Sequence, residues 1–267
     1  FIDPITFGSL CLAFGLLSLV LLLHKPRTIP KFIWFAISAF CGFYLSIRSE
    51  SRTGWIALPF VILLLVKTQL KLNYKKTILV GSILIALSSF TLYHSSEVVK
   101  NRFDQVAQEV HSYQWQQGSN STSIGERITY IRMGLHLIAL RPLSGWANLD
   151  MSSELSNPQF SLYATPETRL GVKGGGFHNE YINNGVKYGI PGIVFTLFLF
   201  LGPALFFIRI LKESTDNLYA LLGLTYIITQ AVSALSYQVL DFKFTASLYA
   251  LMMITLAYSA LRQNFIK

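Results

Sequence analysis

Apolar residues along this chain come in long blocks with short polar punctuation between them. Seven blocks approach or exceed the roughly 20 residues that a helix needs to cross a bilayer. They cover residues 4–23, 32–47, 55–72, 77–94, 188–208, 218–237 and 243–261. Pro59, Gly81 and Pro203 fall inside them, which membrane helices tolerate because neighbouring groups re-satisfy the freed backbone. Between the fourth and fifth blocks the pattern changes. Residues 95–187 form one long polar stretch, and inside it Ile128, Ile131, Leu135 and Ile138 recur at helical spacing until Pro142 ends the run. This predicts an amphipathic helix over 124–140, lying along a membrane surface or capping a cavity. Residues 112–123 read as a mobile polar linker, and 144–176, rich in Gly, Ser, Asn and Pro, as loop. The predicted fold class is all-α: a polytopic membrane helix bundle of about seven spans with one long loop. The expected divisions are 1–94 with four transmembrane helices, 95–187 as the loop domain, and 188–267 with three more.

Composition agrees with this. The chain is 52% hydrophobic and 13% charged, where soluble domains carry about 25% charged residues. Charge then orients the spans. With Phe1 outside, the inner segments hold Lys25, Arg27, Lys31, Lys67, Lys71, Lys75, Lys76, Arg209, Lys212, Arg262 and Lys267 against only Glu213 and Asp216. The whole net charge of +9 thus falls inside, as the positive-inside rule requires. The basic balance has a topological cause, and nucleic acid is not needed as a partner. The long stretch 95–187 faces outward, which is the periplasm in a Gram-negative bacterium. Cys11 and Cys41 lie in apolar blocks with no metal spacing. Residues 1–23 lack a basic leader and a small-residue cleavage site. The chain is therefore expected to begin inside a longer protein.

Candidate chemistry gathers at the outer boundary. His178 opens His178-Asn179-Glu180-Tyr181 after the triplet Gly174-Gly175-Gly176. An imidazole there can exchange protons near neutral pH. Gly175 and Gly176 either let backbone approach an anion or act as a hinge. Arg52, in Ser51-Arg52-Thr53-Gly54, is either a phosphate clamp or an interfacial anchor paired with Glu50. Arg127, in Ile124-Gly125-Glu126-Arg127, opposes the dipole at a helix start and so either meets an anion or is a solvated charge beside Glu126. Trp115, Trp146, Tyr163 and Tyr181 either stack on sugars or belong to the interfacial aromatic belt.

Taken together, Asp3-Pro4-Ile5-Thr6-Phe7-Gly8, Ser51-Arg52-Thr53-Gly54, Ile124-Gly125-Glu126-Arg127 and His178-Asn179-Glu180 with the trailing Gly189-Ile190-Pro191-Gly192 resemble the O-antigen ligase family. That family belongs to a larger group with O-antigen polymerases and O-linking oligosaccharyltransferases. The resemblance covers essentially the whole chain, although family members are longer. It implies a membrane-embedded glycosyltransferase that needs no metal or cofactor. Such an enzyme moves a glycan from undecaprenyl pyrophosphate to lipid A–core during lipopolysaccharide assembly. It would sit among the lipids of the bacterial inner membrane with its site facing the periplasm. By the same resemblance Arg52 and Arg127 would bind the donor diphosphate and His178 would be catalytic, with Asn179, Glu180, Gly175 and Gly176 in support. A single displacement would invert the anomeric centre, by analogy with inverting glycosidases. The nearest alternative is an O-antigen polymerase using the same donor. From another class, the alternative is a transporter of anions or lipid-linked sugars. Transporters place their sites near the bilayer midplane, whereas these residues lie at the outer boundary.

Overall fold

A computed structural model describes residues 3–24, 28–49, 53–95, 97–113, 115, 122–147 and 151–265. Every regular element among them is helical. In order they are α1 (Pro4–Leu23), α2 (Ile29–Arg48), a 3-10 turn (Thr53–Ala57), α3 (Leu58–Gln69), α4 (Tyr74–Ser95), α5 (Glu97–Ser112) and α6 (Ser123–Leu140). Then come α7 (Ser152–Leu155), α8 (Pro158–Ser161), α9 (Pro166–Gly175), α10 (Glu180–Tyr188), α11 (Ile190–Glu213), α12 (Leu218–Ser233) and α13 (Lys243–Phe265). Five of these, α1, α2, α4, α11 and α13, are long and apolar enough to cross a membrane. Two of the seven expected blocks fold as shorter apolar helices, Gly54–Gln69 and Leu218–Ser233. The chain divides into two compact units, with boundaries inside α4 and α11.

One unit holds residues 1–85 and 198–267. Asp3 starts α1 by accepting hydrogen bonds from the N–H groups of Ile5 (2.9 Å) and Thr6 (3.0 Å), with Pro4 in the first turn. Both features favour a helix start. α2 packs back along α1, and the two backbones meet where neither has a side chain. A Cβ on Gly42 would lie 2.5 Å from Gly15 Cα and 2.7 Å from the Cys11 carbonyl oxygen. Small residues at membrane helix contacts permit such approach. Helix α12 is the centre of this unit, buried on nearly all sides and packed against α1, α3, α13 and the 3-10 turn. Asn217 caps it by accepting from Ala220 N–H (3.0 Å) and donates to the Ala260 carbonyl of α13 (2.8 Å). α2 and the first part of α4 instead expose large apolar side chains such as Trp34, Phe40 and Leu79, as lipid-facing helices do.

The other unit is Ala86–Leu197. Its core joins Tyr130, Met133, Leu137 and Ile138 of α6 to Trp146, Leu155, Phe160, Ala164, Val172, Phe177 and Val186. Three expectations change here. The polar stretch begins with a helix, α5, that apolar patterning did not reveal. The region 144–176 contains the short helices α7, α8 and α9; Asn157 and Thr165, each followed by a proline, set the starts of α8 and α9. The buried face of α6 also differs from the Ile128, Ile131, Leu135 and Ile138 stripe. It runs through Gly125, Thr129, Tyr130, Met133, Gly134, Leu137 and Ile138, while Leu135 is exposed. Helix α6 is thus the core helix of the unit, and small and aromatic residues fill the side that other segments cover. Of the expected linker 112–123, most lies outside the described residues.

Candidate functional site

The histidine region is built on α6. Gly134 opens a notch in that helix, where an added Cβ would meet Ile182 Cγ2 at 2.2 Å and Phe177 Cδ1 at 3.3 Å. α10 and the residues just before it therefore press closely on α6. The glycine triplet ends α9: Gly174 and Gly175 lie in its last turn, and Gly176 is its C-cap with φ +68°. Glycine takes that conformation at little cost, and it reverses the chain towards His178. His178 itself has φ +47°, uncommon for a residue with a side chain and a form of stored backbone strain. Its ring lies against Tyr130 of α6, centroids 5.4 Å apart and planes tilted by 30°. From the α9 side, an added Cβ on Gly175 would stand 3.5 Å from His178 Nε2, and one on Gly171 would stand 2.9 Å from the Tyr130 hydroxyl. The two glycines leave the imidazole edge and the phenol room that any larger residue would fill.

Asn179 then starts α10, its Oδ1 accepting from Ile182 N–H at 3.0 Å. Glu180 follows in the first turn, where a carboxylate suits the helix dipole, and it is 1% exposed. Its Oε1 accepts from Asn184 Nδ2 at 2.8 Å, and Asn184 also donates to Thr196 Oγ1 at 2.9 Å. This chain of polar groups ties α10 to α11. A second tie is made of backbone. Trp146 N–H donates to the Val186 carbonyl (2.8 Å), and Ile190 N–H to that of Pro142 (2.7 Å). The phenols here stay protonated. Burial, then Glu180, pushes Tyr181 up to about 12. Burial, then Glu126, raises Tyr130.

Arg127 is half-buried in the turn of α6 preceding Tyr130. Residues 127, 130 and 134 share one helical face, since positions three or four apart are neighbours. The structure thus puts Arg127 on the α6 face that carries the His178 contact. Arg52 lies outside the described residues.

The family model described as O-antigen ligase matches residues 37–197, more than half of the chain and the whole of the histidine region. The chain belongs to the O-antigen ligase family. Among curated proteins it is similar to an uncharacterized protein of Haemophilus influenzae, 24% identical over 232 residues. That match spans 84% of this chain and 57% of the relative. It is also similar to an O-antigen ligase of Escherichia coli K12, 23% identical over 210 residues, 79% of this chain and 48% of that protein. The chain thus spans about half the length of these relatives.

As a member of the O-antigen ligase family with five helices able to span a membrane, the chain is a multi-pass membrane protein. Its sequence reading lacked Tyr130. The only signal for that residue was its position three after Arg127 on a helix. Asn184, which donates to Glu180, and Thr196, which accepts from Asn184, carried no signal at all, because their pairing depends on how α10 meets α11.

Proposed function

We propose that the protein is an O-antigen ligase, a metal-independent glycosyltransferase that moves a glycan from undecaprenyl pyrophosphate to lipid A–core on the periplasmic side of the inner membrane. In this reading residues 95–187 form the periplasmic loop, between a set of spans in 1–94 and another in 188–267. The observation that carries the proposal is the seating of His178 on Tyr130, on the α6 face that also bears Arg127. A base and a cation in one locality suit a reaction in which a hydroxyl loses a proton as a diphosphate leaves.

Arg52 and Arg127 bind the diphosphate and stabilise its growing negative charge through charge-assisted hydrogen bonds. His178 accepts the proton of the attacking sugar hydroxyl. The oxygen of that hydroxyl bonds to the anomeric carbon, and the carbon–oxygen bond to the diphosphate breaks, so the product linkage is inverted. Asn179 and Glu180 hold the start of α10, and with it the backbone of His178. Gly175 and Gly176 keep the imidazole edge accessible.

The test begins with deletion of the gene in its source organism. Long polymers stranded on the lipid carrier, with bare core, are expected. Core capped by a single repeat unit would make the protein a polymerase instead, and unchanged pools would favour a transporter. With the purified full-length protein, Arg127→Ala is expected to lower the transfer rate by about 10²–10³-fold, the loss typical of one transition-state donor. A His178→Gln variant that keeps substantial rate, or a product with retained configuration, would remove the base from this scheme.

A further inference from the structure

Residues Tyr130 and Arg132 point to nearly opposite sides of α6, being two apart on a helix of about 3.6 residues per turn. The Arg132 side carries its own constellation. The guanidinium lies 4.0 Å from the centroid of the Tyr163 ring and 5.5 Å from that of Trp115. Its Nη1 donates to the Tyr113 hydroxyl (3.0 Å) and to the Trp115 carbonyl (2.8 Å). Tyr113 is 6% exposed, and its hydroxyl, which accepts from Arg132, also shares a hydrogen bond with Thr129 Oγ1 at 3.3 Å. The arginine is therefore fixed from beneath by a buried phenol and flanked by two rings. Arg132 Nε and Nη2 make no hydrogen bond among the described residues. Trp115 is 65% exposed, and its ring meets Tyr113 edge-on at 5.1 Å.

We propose that Trp115, Arg132 and Tyr163 form a carbohydrate-binding platform that takes an oligosaccharide on the side of α6 away from His178. Sugars present two kinds of surface. Their C–H faces rest on aromatic rings, and their paired hydroxyls or acidic-sugar carboxylates accept two parallel N–H bonds from a planar guanidinium edge. The platform offers both, on side chains whose geometry is set before the ligand arrives, which reduces the ordering cost of binding. A lipid tail has no use for the guanidinium edge. A ring held only for packing gains nothing from being left 65% exposed. The identification of the sugar as donor or acceptor glycan rests on the proposed function; the platform itself does not.

The test uses the full-length protein in nanodiscs and two soluble probes, released O-polysaccharide fragments and lipid-free core oligosaccharide, with binding read by calorimetry. Trp115→Ala is expected to weaken binding about tenfold, the loss of roughly one stacked ring. Trp115→Phe should recover most of it, and Arg132→Lys should weaken it by removing the planar edge. The probe that binds identifies the glycan as donor or acceptor. Equal affinity in wild type and Trp115→Ala overturns the platform. So does quenching of Trp115 by brominated lipid that sugar leaves unchanged, since the ring would then sit in the bilayer interface. Binding that depends on Trp115 in a protein that transfers no glycan would overturn the ligase reading alone.

Discussion

Tyr181 follows His178 by three positions, and its hydroxyl reports on how well the start of α10 is sealed. Burial and the neighbouring Glu180 carboxylate hold its pKa near 12, against about 10 for an unfolded tyrosine. The folded protein therefore keeps a proton that the unfolded chain releases. The stability this contributes is complete below pH 10 and is lost as pH climbs towards 12. Tyr181→Phe has no such proton. Thermal unfolding across pH 9 to 12 should show the wild type losing stability more steeply than Y181F above about pH 10; parallel curves would mean the phenol is not sealed. At this scale the sequence was informative about residue types and poor about partners. Arg127 and His178 stood out because a cation and an imidazole at helix starts are chemically unusual. Tyr130 did not, since an aromatic on a helix is ordinarily core. Its hydroxyl has room beside α9 because position 171 is glycine, where a Cβ would stand 2.9 Å from it.

Helix α6 explains why the elements around it sit where they do. Apolar periodicity located the helix almost to the residue, Ser123–Leu140 against an expected 124–140. It misjudged the buried face, because patterning weighs isoleucine and leucine and overlooks glycine. Gly134 is the contact point for α10. Gly134→Val would place branched carbons where Ile182 and Phe177 already lie, an overpacking that typically costs about 1–3 kcal/mol. The expected result is a lower unfolding temperature together with loss of transfer, read by thermal melts and by lipopolysaccharide profiles. A variant with wild-type stability and activity would show that α10 docks without the notch. The short helices α8 and α9 were hidden for a related reason. Their sequences are rich in turn-forming residues, and the caps at Asn157 and Thr165 turn those residues into helix starts.

At the scale of the whole chain, hydropathy and charge carried most of the fold. Long apolar blocks become helices because the bilayer core offers backbone groups no other partner. Two blocks fold as shorter helices: the 3-10 turn at Thr53–Ala57 precedes α3, and α12 ends at Ser233, before Ser236 and Gln238. The basic residues of 67–76 and 209–217 predict one orientation of the chain. A single cysteine introduced at exposed Ser161 should react with a membrane-impermeant maleimide in intact spheroplasts, whereas one at Lys75 should react only after permeabilisation. The reverse pattern would invert the proposed topology and put the histidine region on the side away from lipopolysaccharide.

The contact between Gly15 and Gly42 bears on how natural variation in this family is to be interpreted. Two main chains touch there with no side chain between them, so a methyl group at Gly42 would run into the backbone of α1, whereas one at Gly15 would be a tight fit. Variants at 42 will be purged as a variant at a reacting group is, although the residue meets no substrate in the proposed scheme. A position that never changes in this part of the chain is thus a record of two backbones sharing the same space, and mutational intolerance alone will overstate the extent of the active site.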